Sequence, residues 1–368
     1  MIVGWRCAVC GSTVDVASPH PFRCPRSSAN DRRHVLHPLD VGAETPRRDD
    51  PNPFVAYGPR LAWWAFARAN GMTEQACEAL TREVAAGFAT TPIARSELLS
   101  AELGGDVWVK DETANVGGSH KGRHLVSILL HLRAAEALHL AERPRRTLAI
   151  ASCGNAAIAA ATLAARVEWP IEVYVPEWAD DRVVAHLEQL GATVNRCPRR
   201  SSDPPGDPAL LGFRAAVDAG AVPFSVQGPE NALCLDGGRT LGWELTDAGV
   251  ALDRVLVQVG GGALATCVGW GLGPSVRLDA VQAAGCAPLA RAWERASGMT
   301  TDDVPGRWAE LMSAWPDPHS VADGILDDET YDWLGVFDVL RQSGGRAIVV
   351  QEPSILCLLY TSPSPRDS

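Results

Sequence analysis

Lysine is nearly missing from this sequence: of its 33 cationic side chains only Lys110 and Lys121 are lysine, and arginine supplies the rest. Arginine serves wherever a fixed positive charge is enough, so the two remaining lysines are candidates for work that needs an amine. Positive charge is also short overall. The formal net charge of −11 argues against nucleic acid or an anionic membrane as partner, because both require basic surfaces. No apolar run approaches the ~20 residues of a membrane span, and the opening MIVGWRC lacks a signal-peptide core. The ten cysteines are scattered rather than spaced as a disulfide framework, and read as mostly reduced thiols of a cytoplasmic protein. With 368 residues the chain exceeds one ordinary core, so two packed domains or one large α/β unit are expected.

The first 50 residues read as loop-like, rich in Pro, Arg and Asp. Cys7 and Cys10 have the C-x-x-C spacing of a zinc knuckle, and Cys24-Pro25 resembles the start of a second one. The fourth ligand position is Ser27. His20, His34 or His37 could substitute, and the spacing does not choose among them. The missing ligand favours a metal-free appendage over zinc bound by Cys7, Cys10 and Cys24.

From FVAYGPRLAWWAFARANGM to about residue 88 the pattern reads as helix. Beyond residue 105 strands and helices alternate: strand DVWVKDE, helix HKGRHLVSILLHLRAAEA, then strand, turn and Ala-rich helix in TLAIASCGNAAIAAATLAARV. IEVYVPEWADDRVVAHLEQLGATVNRC repeats the alternation. The Pro/Ser/Asp-rich PRRSSDPPGDP breaks it, and RVLVQV-GGGA, a helix and RLDAVQAAG resume it. Such alternation indicates a largely parallel sheet.

Three turns follow strands, where open α/β sheets place ligands. GGSHKGRH carries Lys121 into a helix start; SCGN (152–155) opens a second helix; VGGGA (259–263) opens a third. A Gly-rich turn at a helix N-terminus offers backbone N–H groups to an anion such as phosphate. Together with a lone lysine this suggests a cofactor carrying both a phosphate and an aldehyde. A Schiff base needs a primary amine that can lose its proton, which guanidinium effectively cannot do. Lys110, beside Asp111 and Glu112, reads instead as half of a structural ion pair.

In order and approximate spacing, VKDETANVGGSHKGRH, ASCGNAAIA, GPENALCLDGGRTLGWEL and QVGGGALA resemble the motifs of the fold type II pyridoxal-phosphate enzymes. That superfamily holds threonine synthase, the threonine and serine dehydratases, tryptophan synthase β and cysteine synthase. The likeness runs from about residue 90 to 355. It is nearest to threonine synthases, some of which also begin with a cysteine-rich knuckle. Val116-Gly117, His120 and Gly122 depart from the threonine synthase pattern, and SHK is similar to tryptophan synthase β.

The resemblance implies two parallel-sheet, three-layer α/β/α lobes: a large one from 49–104 plus 214–356, and a smaller mobile one over 105–213 carrying the lysine. An appendage over 1–48 precedes them. It implies pyridoxal 5'-phosphate as cofactor, a small amino acid as substrate, β- or γ-elimination or replacement as reaction, and a homodimer. Residue by residue, Lys121 would be the Schiff-base lysine and general base, and Asn155 would bond the cofactor's phenolic oxygen. Ser152, Cys153 and Gly154 would hold the substrate carboxylate; Gly260, Gly261, Gly262 and Ala263 would hold the phosphate. The alternative is a cofactor-binding regulatory or carrier protein without turnover. The final CLLYTSPSPRDS (357–368) breaks every earlier pattern, resembles one reading frame of a transposase-type sequencing adapter, and is read as a non-native tail. No residue is therefore assigned to the pyridine nitrogen.

Overall fold

The computed structural model describes residues 1–42, 45–201 and 206–361, the last four as backbone only. Part of the break PRRSSDPPGDP, and of the proposed tail beyond 361, lies outside the described residues.

The N-terminal segment is more ordered than its composition suggests. Strand β1 (Ile2–Cys7) is flanked by antiparallel β2 (Thr13–Asp15) and β3 (Leu36–Asp40). Its Ile2, Trp5 and Cys7 side chains are buried, as is Leu36 on β3. The period-two signal is short and interrupted by Gly4, so proline and arginine dominated the sequence reading. Asp40 of this sheet pairs with Arg239 at 2.7 Å, and the Phe22 carbonyl accepts from the Ala232 N–H at 2.8 Å. The appendage is thus fastened to the body.

The stretch read as one long helix is broken into Pro53–Ala56, Ala62–Ala69 and Glu74–Val84. Pro59 interrupts the first gap, Gly71 adopts φ +89° in the second, and the Thr73 hydroxyl caps the third helix. Each of these punctuates a helix for a local reason.

Beyond it the expected alternation is present. An antiparallel pair, β4 (Ile93–Arg95) and β5 (Trp108–Lys110), precedes the lysine helix, Lys121–Ala137. A four-stranded parallel sheet follows, of β6 (Leu148–Ala151), β7 (Ile171–Pro176), β8 (Thr193–Cys197) and β9 (Val222–Pro223), in spatial order β8-β7-β6-β9. A second parallel sheet orders β10 (Arg254–Gln258), β11 (Arg277–Ala283) and β12 (Ala347–Val350). The last helix, Glu352–Thr361, runs into the segment read as tail.

The lysine helix is apolar nearly all round because it is packed on several sides. It contacts the helices Ala62–Ala69, Glu74–Val84 and Cys234–Gly237, and also Asn155–Arg166. The last of these is Ala-rich, with Ala157, Ala159, Ala160, Ala161 and Ala164 fully buried; small side chains let it approach closely. A methyl group on Gly117 would lie 2.7 Å from Ala159 Cβ, so the lysine loop is in direct contact with the helix that the second turn opens.

Candidate active site

The lysine loop is held by a buried charge network. Arg123, two residues beyond Lys121 and fully buried, grips two carboxylates. Its Nε lies 2.7 Å from Glu112 Oε2 and its Nη1 2.6 Å from Glu244 Oε1. Glu112 also accepts from Asn115 Nδ2 at 2.8 Å, and the Asn115 carbonyl accepts from the Gly118 N–H at 2.8 Å. Burial pushes the Glu112 carboxyl up, but Arg123 beside it brings it below the ordinary value. Lys110 is an ion-pair residue, with a different partner from the one its neighbours suggested. Its Nζ reaches Glu244 Oε2 at 2.5 Å and the Thr91 carbonyl at 2.6 Å. Asp111 instead accepts from Thr113. Burial lowers the Lys110 amine, against the opposing pull of Glu244.

Lys121 stands apart from that network. Its backbone N–H donates to Ser119 Oγ at 3.3 Å, while among the described residues its ammonium has no hydrogen-bond or ion-pair partner. Two acidic groups feel its charge, Asp327 and Asp332. On its other side, burial and then Lys121 itself push His120 well below the usual imidazole range. His120 meets His124 edge-on at 5.8 Å. His124 is held neutral by burial, down to about 4, and its Nδ1–H donates to the Cys234 carbonyl at 2.8 Å. Gly122 is required by packing, since a Cβ there would lie 2.5 Å from the Val116 carbonyl.

The glycine loop connects β10 to the helix Ala263–Leu272, with Gly262 at φ +96°. That left-handed conformation favours glycine. The Asp327 carboxylate lies against this loop: a Cβ on Gly260 would lie 2.5 Å from its Oδ2, and the Gly261 N–H draws its carboxyl down against the rise that burial imposes. The Gly261 carbonyl accepts from the Asp332 N–H at 2.8 Å. Burial raises the carboxyls of both Asp327 and Asp332, the latter to about 8 despite bonds from the Gly228 N–H.

The SCGN turn leaves β6 and enters the helix at Asn155. Asn155 is exposed, and its amide has no protein partner among the described residues. The Ser152 hydroxyl accepts from the Gly154 N–H at 3.3 Å. Burial raises the Cys153 thiol, and Asp207 and Asp323 push the same way. The acidic segment 323–332 is therefore what relates the three turns: Asp323 bears electrostatically on Cys153, Asp327 lies against the glycine loop, and both Asp327 and Asp332 lie within the field of Lys121. The string DDETYD was the available signal for it, but acidic runs are usually solvated surface.

The structure also brings Cys7, Cys10 and Cys24 together with His34, all four candidate ligand atoms lying within 4.8 Å of one another. His20 stacks near Phe22 and His37 meets Trp270 edge-on, so neither joins the group.

A phosphorylated aldehyde fits these residues. The glycine loop, with Gly262 left-handed, opens a helix whose N-terminal backbone donors suit a phosphate, and among the described residues Lys121 supplies an amine committed to no ion pair. Parallel sheets with such a loop and such a lysine define a cofactor-dependent α/β enzyme of the fold type II class. Comparison with known proteins gives the same answer. The family model described as pyridoxal-phosphate dependent enzyme matches residues 84–359. A serine dehydratase-like protein of Mus musculus is 30% identical over 183 residues, 50% of this chain and 51% of that protein. One of Rattus norvegicus is 35% identical over 104 residues, 28% and 29% respectively. The chain thus spans about half the length, or less, of these curated relatives. Among solved structures, a threonine deaminase of T.th. aligns with TM-score 0.59 at 24% identity, covering 78% of this chain and 86% of that one. Maize serine racemase aligns with TM-score 0.60 at 18%, covering 78% and 81%. This chain belongs to the pyridoxal-phosphate dependent enzyme family.

Proposed function

We propose that this chain is a lyase of the serine/threonine dehydratase type, converting a small β-hydroxy amino acid to its 2-oxo acid and ammonia. The observation that carries the reading is Lys121: an amine without a protein partner among the described residues, at the start of the helix Lys121–Ala137. The serine dehydratase-like names of the curated relatives support the choice of reaction. In this reading Gly260, Gly261, Gly262 and Ala263 hold the phosphate of pyridoxal phosphate, Asn155 its ring oxygen and Lys121 its aldehyde carbon. When bound, the cofactor's conjugated ring delocalises the electron pair left at the substrate Cα.

The chain's own residues do the rest. Ser152, Cys153 and Gly154 bind the substrate carboxylate at a helix N-terminus, which sets the Cα–H bond direction. Lys121 Nζ takes the proton from Cα as general base. The network through Arg123, Glu112 and Asn115 fixes the loop that presents it. The β-hydroxyl leaves as water, and one water returns when the nitrogen is released as ammonia, so the balance is one amino acid to one 2-oxo acid and one ammonia. The division into a body (49–104 and 214–356) and a smaller lobe (105–213) that closes to exclude water belongs to this reading. So do a homodimer and a cytoplasmic location. Among the described residues no helix is long and apolar enough to cross a membrane.

Threonine synthase chemistry is the second reading, favoured by the N-terminal cysteine cluster. Absorbance scans of the full-length, cofactor-loaded protein with serine, threonine, phosphohomoserine and O-acetylserine separate the two. The dehydratase reading expects 2-oxo acid from serine or threonine. Turnover of phosphohomoserine alone would replace it with threonine synthase, and no spectral response to any of the four would leave a cofactor carrier.

A further inference from the structure

The geometry points to a structural zinc site formed by Cys7, Cys10, Cys24 and His34, which locks the N-terminal sheet onto the segment behind the lysine helix. The spacing of the ligand atoms is the first argument. Zinc–sulfur bonds of about 2.3 Å and zinc–nitrogen bonds of about 2.0 Å, disposed tetrahedrally, put neighbouring ligand atoms about 3.5 to 3.8 Å apart. Cys10 Sγ and Cys24 Sγ are 3.5 Å apart, and Cys7 Sγ is 3.4 Å from His34 Nδ1. The sulfur separation is far beyond a disulfide bond. Cys7, Cys24 and His34 are buried and Cys10 is half-buried, and the four donors, all within 4.8 Å of one another, number the full tetrahedral complement of zinc. A closed donor set of that kind is structural rather than catalytic.

The backbone is built for it. At the first knuckle the Gly11 N–H donates to the Cys7 carbonyl at 3.0 Å, with Gly11 at φ +71°. At the second, the Ser27 N–H donates to the Cys24 carbonyl at 2.9 Å, and the Arg26 N–H points at Cys24 Sγ from 3.4 Å. Ser27 ends the second knuckle where a fourth cysteine would stand, and His34, two residues before β3, supplies the replacement. Because Cys7 pairs with Leu36, His34 arrives beside Cys7 with its Nδ1 inward. Its other nitrogen, Nε2, lies 3.4 Å from Asp31 Oδ2, the outer carboxylate that orients metal-bound histidines.

The site's position gives it a use. Between Cys24 and His34, Arg32 lies 3.6 Å from the buried Glu230 carboxylate, and Arg23 pairs with the same group. The chain then runs from Glu230 to Leu233 and Cys234, whose carbonyls accept from Ser127 and His124 of the lysine helix. Metal binding would therefore stabilise the floor beneath Lys121 while contributing no donor to the site.

The test is metal content of the holoprotein purified under reducing conditions, measured by mass spectrometry of the metals. The expected result is one zinc per chain, lost from Cys7→Ser, Cys24→Ser and His34→Ala but kept by His20→Ala and His37→Ala. His34→Cys should retain the metal as a four-thiolate site, which a packing role for His34 would not predict. Should the serine variants fail to fold, cobalt exchanged into wild-type protein should give the intense visible bands of tetrahedral thiolate coordination. Asp31→Asn should weaken zinc about 10–100-fold in a chelator competition. Wild-type protein with under a tenth of an equivalent after zinc incubation would overturn the site, as would full metal content in the serine variants or a Cys10–Cys24 disulfide.

Discussion

Lys110 Nζ lies 2.5 Å from Glu244 Oε2, across 134 residues of sequence. That contact separates the chain's two lysines by task. Lys110 neutralises a buried carboxylate shared with Arg123; Lys121, eleven positions on, has an amine without a partner among the described residues. The pair therefore predicts two different responses to the same conservative change.

Lys110→Arg keeps the charge and the partner but must fit a bulkier fork into a nearly buried space. It should cost about 1–3 kcal/mol of stability through overpacking and retain turnover. Lys121→Arg should unfold at the wild-type urea midpoint and show neither turnover nor cofactor absorbance, since guanidinium cannot take the aldehyde. Equal activity in the two variants would reverse the assignment.

Glu244→Gln leaves Lys110 and Arg123 as buried cations with one carboxylate fewer between them. Removing one partner of a buried charge network costs about 3–5 kcal/mol, to be read from urea unfolding. A loss below about 1 kcal/mol would mean that water solvates the network.

Asp332 predicts a pH dependence. Burial raises its carboxyl from 3.8 to about 8, so between those values the folded chain keeps a proton that the unfolded chain releases. Stability from this group is fully present below pH 3.8 and declines as pH rises towards about 8. In cofactor-free protein Asp332→Asn should flatten that decline, measured as unfolding free energy from pH 5 to about 8. An unchanged slope would show that Asp332 is ionised in the folded state.

Asp327 Oδ2 lies 2.5 Å from where a Cβ on Gly260 would fall, so its carboxyl crowds any anion seated on the glycine loop. Asp327→Asn should tighten binding of pyridoxal phosphate about tenfold, about 1.4 kcal/mol, measured by fluorescence titration. Weaker binding in the variant would mean that the carboxylate assists the cofactor rather than occupying its place.

Asn155 is exposed and its amide serves no protein group, so Asn155→Ala should change stability by less than about 0.5 kcal/mol. If it fixes the cofactor ring, turnover should fall about 100-fold through misplacement of the reacting atoms. Loss of stability with full turnover would make it a structural cap.

What could be read from the sequence was local. Strand, tight turn and Ala-rich helix from Leu148 to Arg166 lie within twenty residues, and the glycine loop before Ala263 is written in consecutive letters. Lys121 stood out by composition alone. What escaped depended on distance or on context. Nothing near Lys110 announces Glu244, and Asp111 and Glu112 are misleading neighbours. His34 becomes the companion of Cys7 only once β3 pairs with β1, a register that no spacing encodes. Asp327 and Asp332 escaped notice because an acidic run carries no signal that its segment packs against the glycine loop.

The central claim, that Lys121 alone holds the cofactor aldehyde, has a direct measurement because the chain has only two lysines. Borohydride reduction of the cofactor-loaded protein, followed by peptide mass spectrometry, fixes the cofactor wherever it is bonded. The account predicts a pyridoxyl-phosphate label on the peptide containing Lys121 and none on Lys110. A label on Lys110 or on the N-terminal amine, or no label at all, would contradict it.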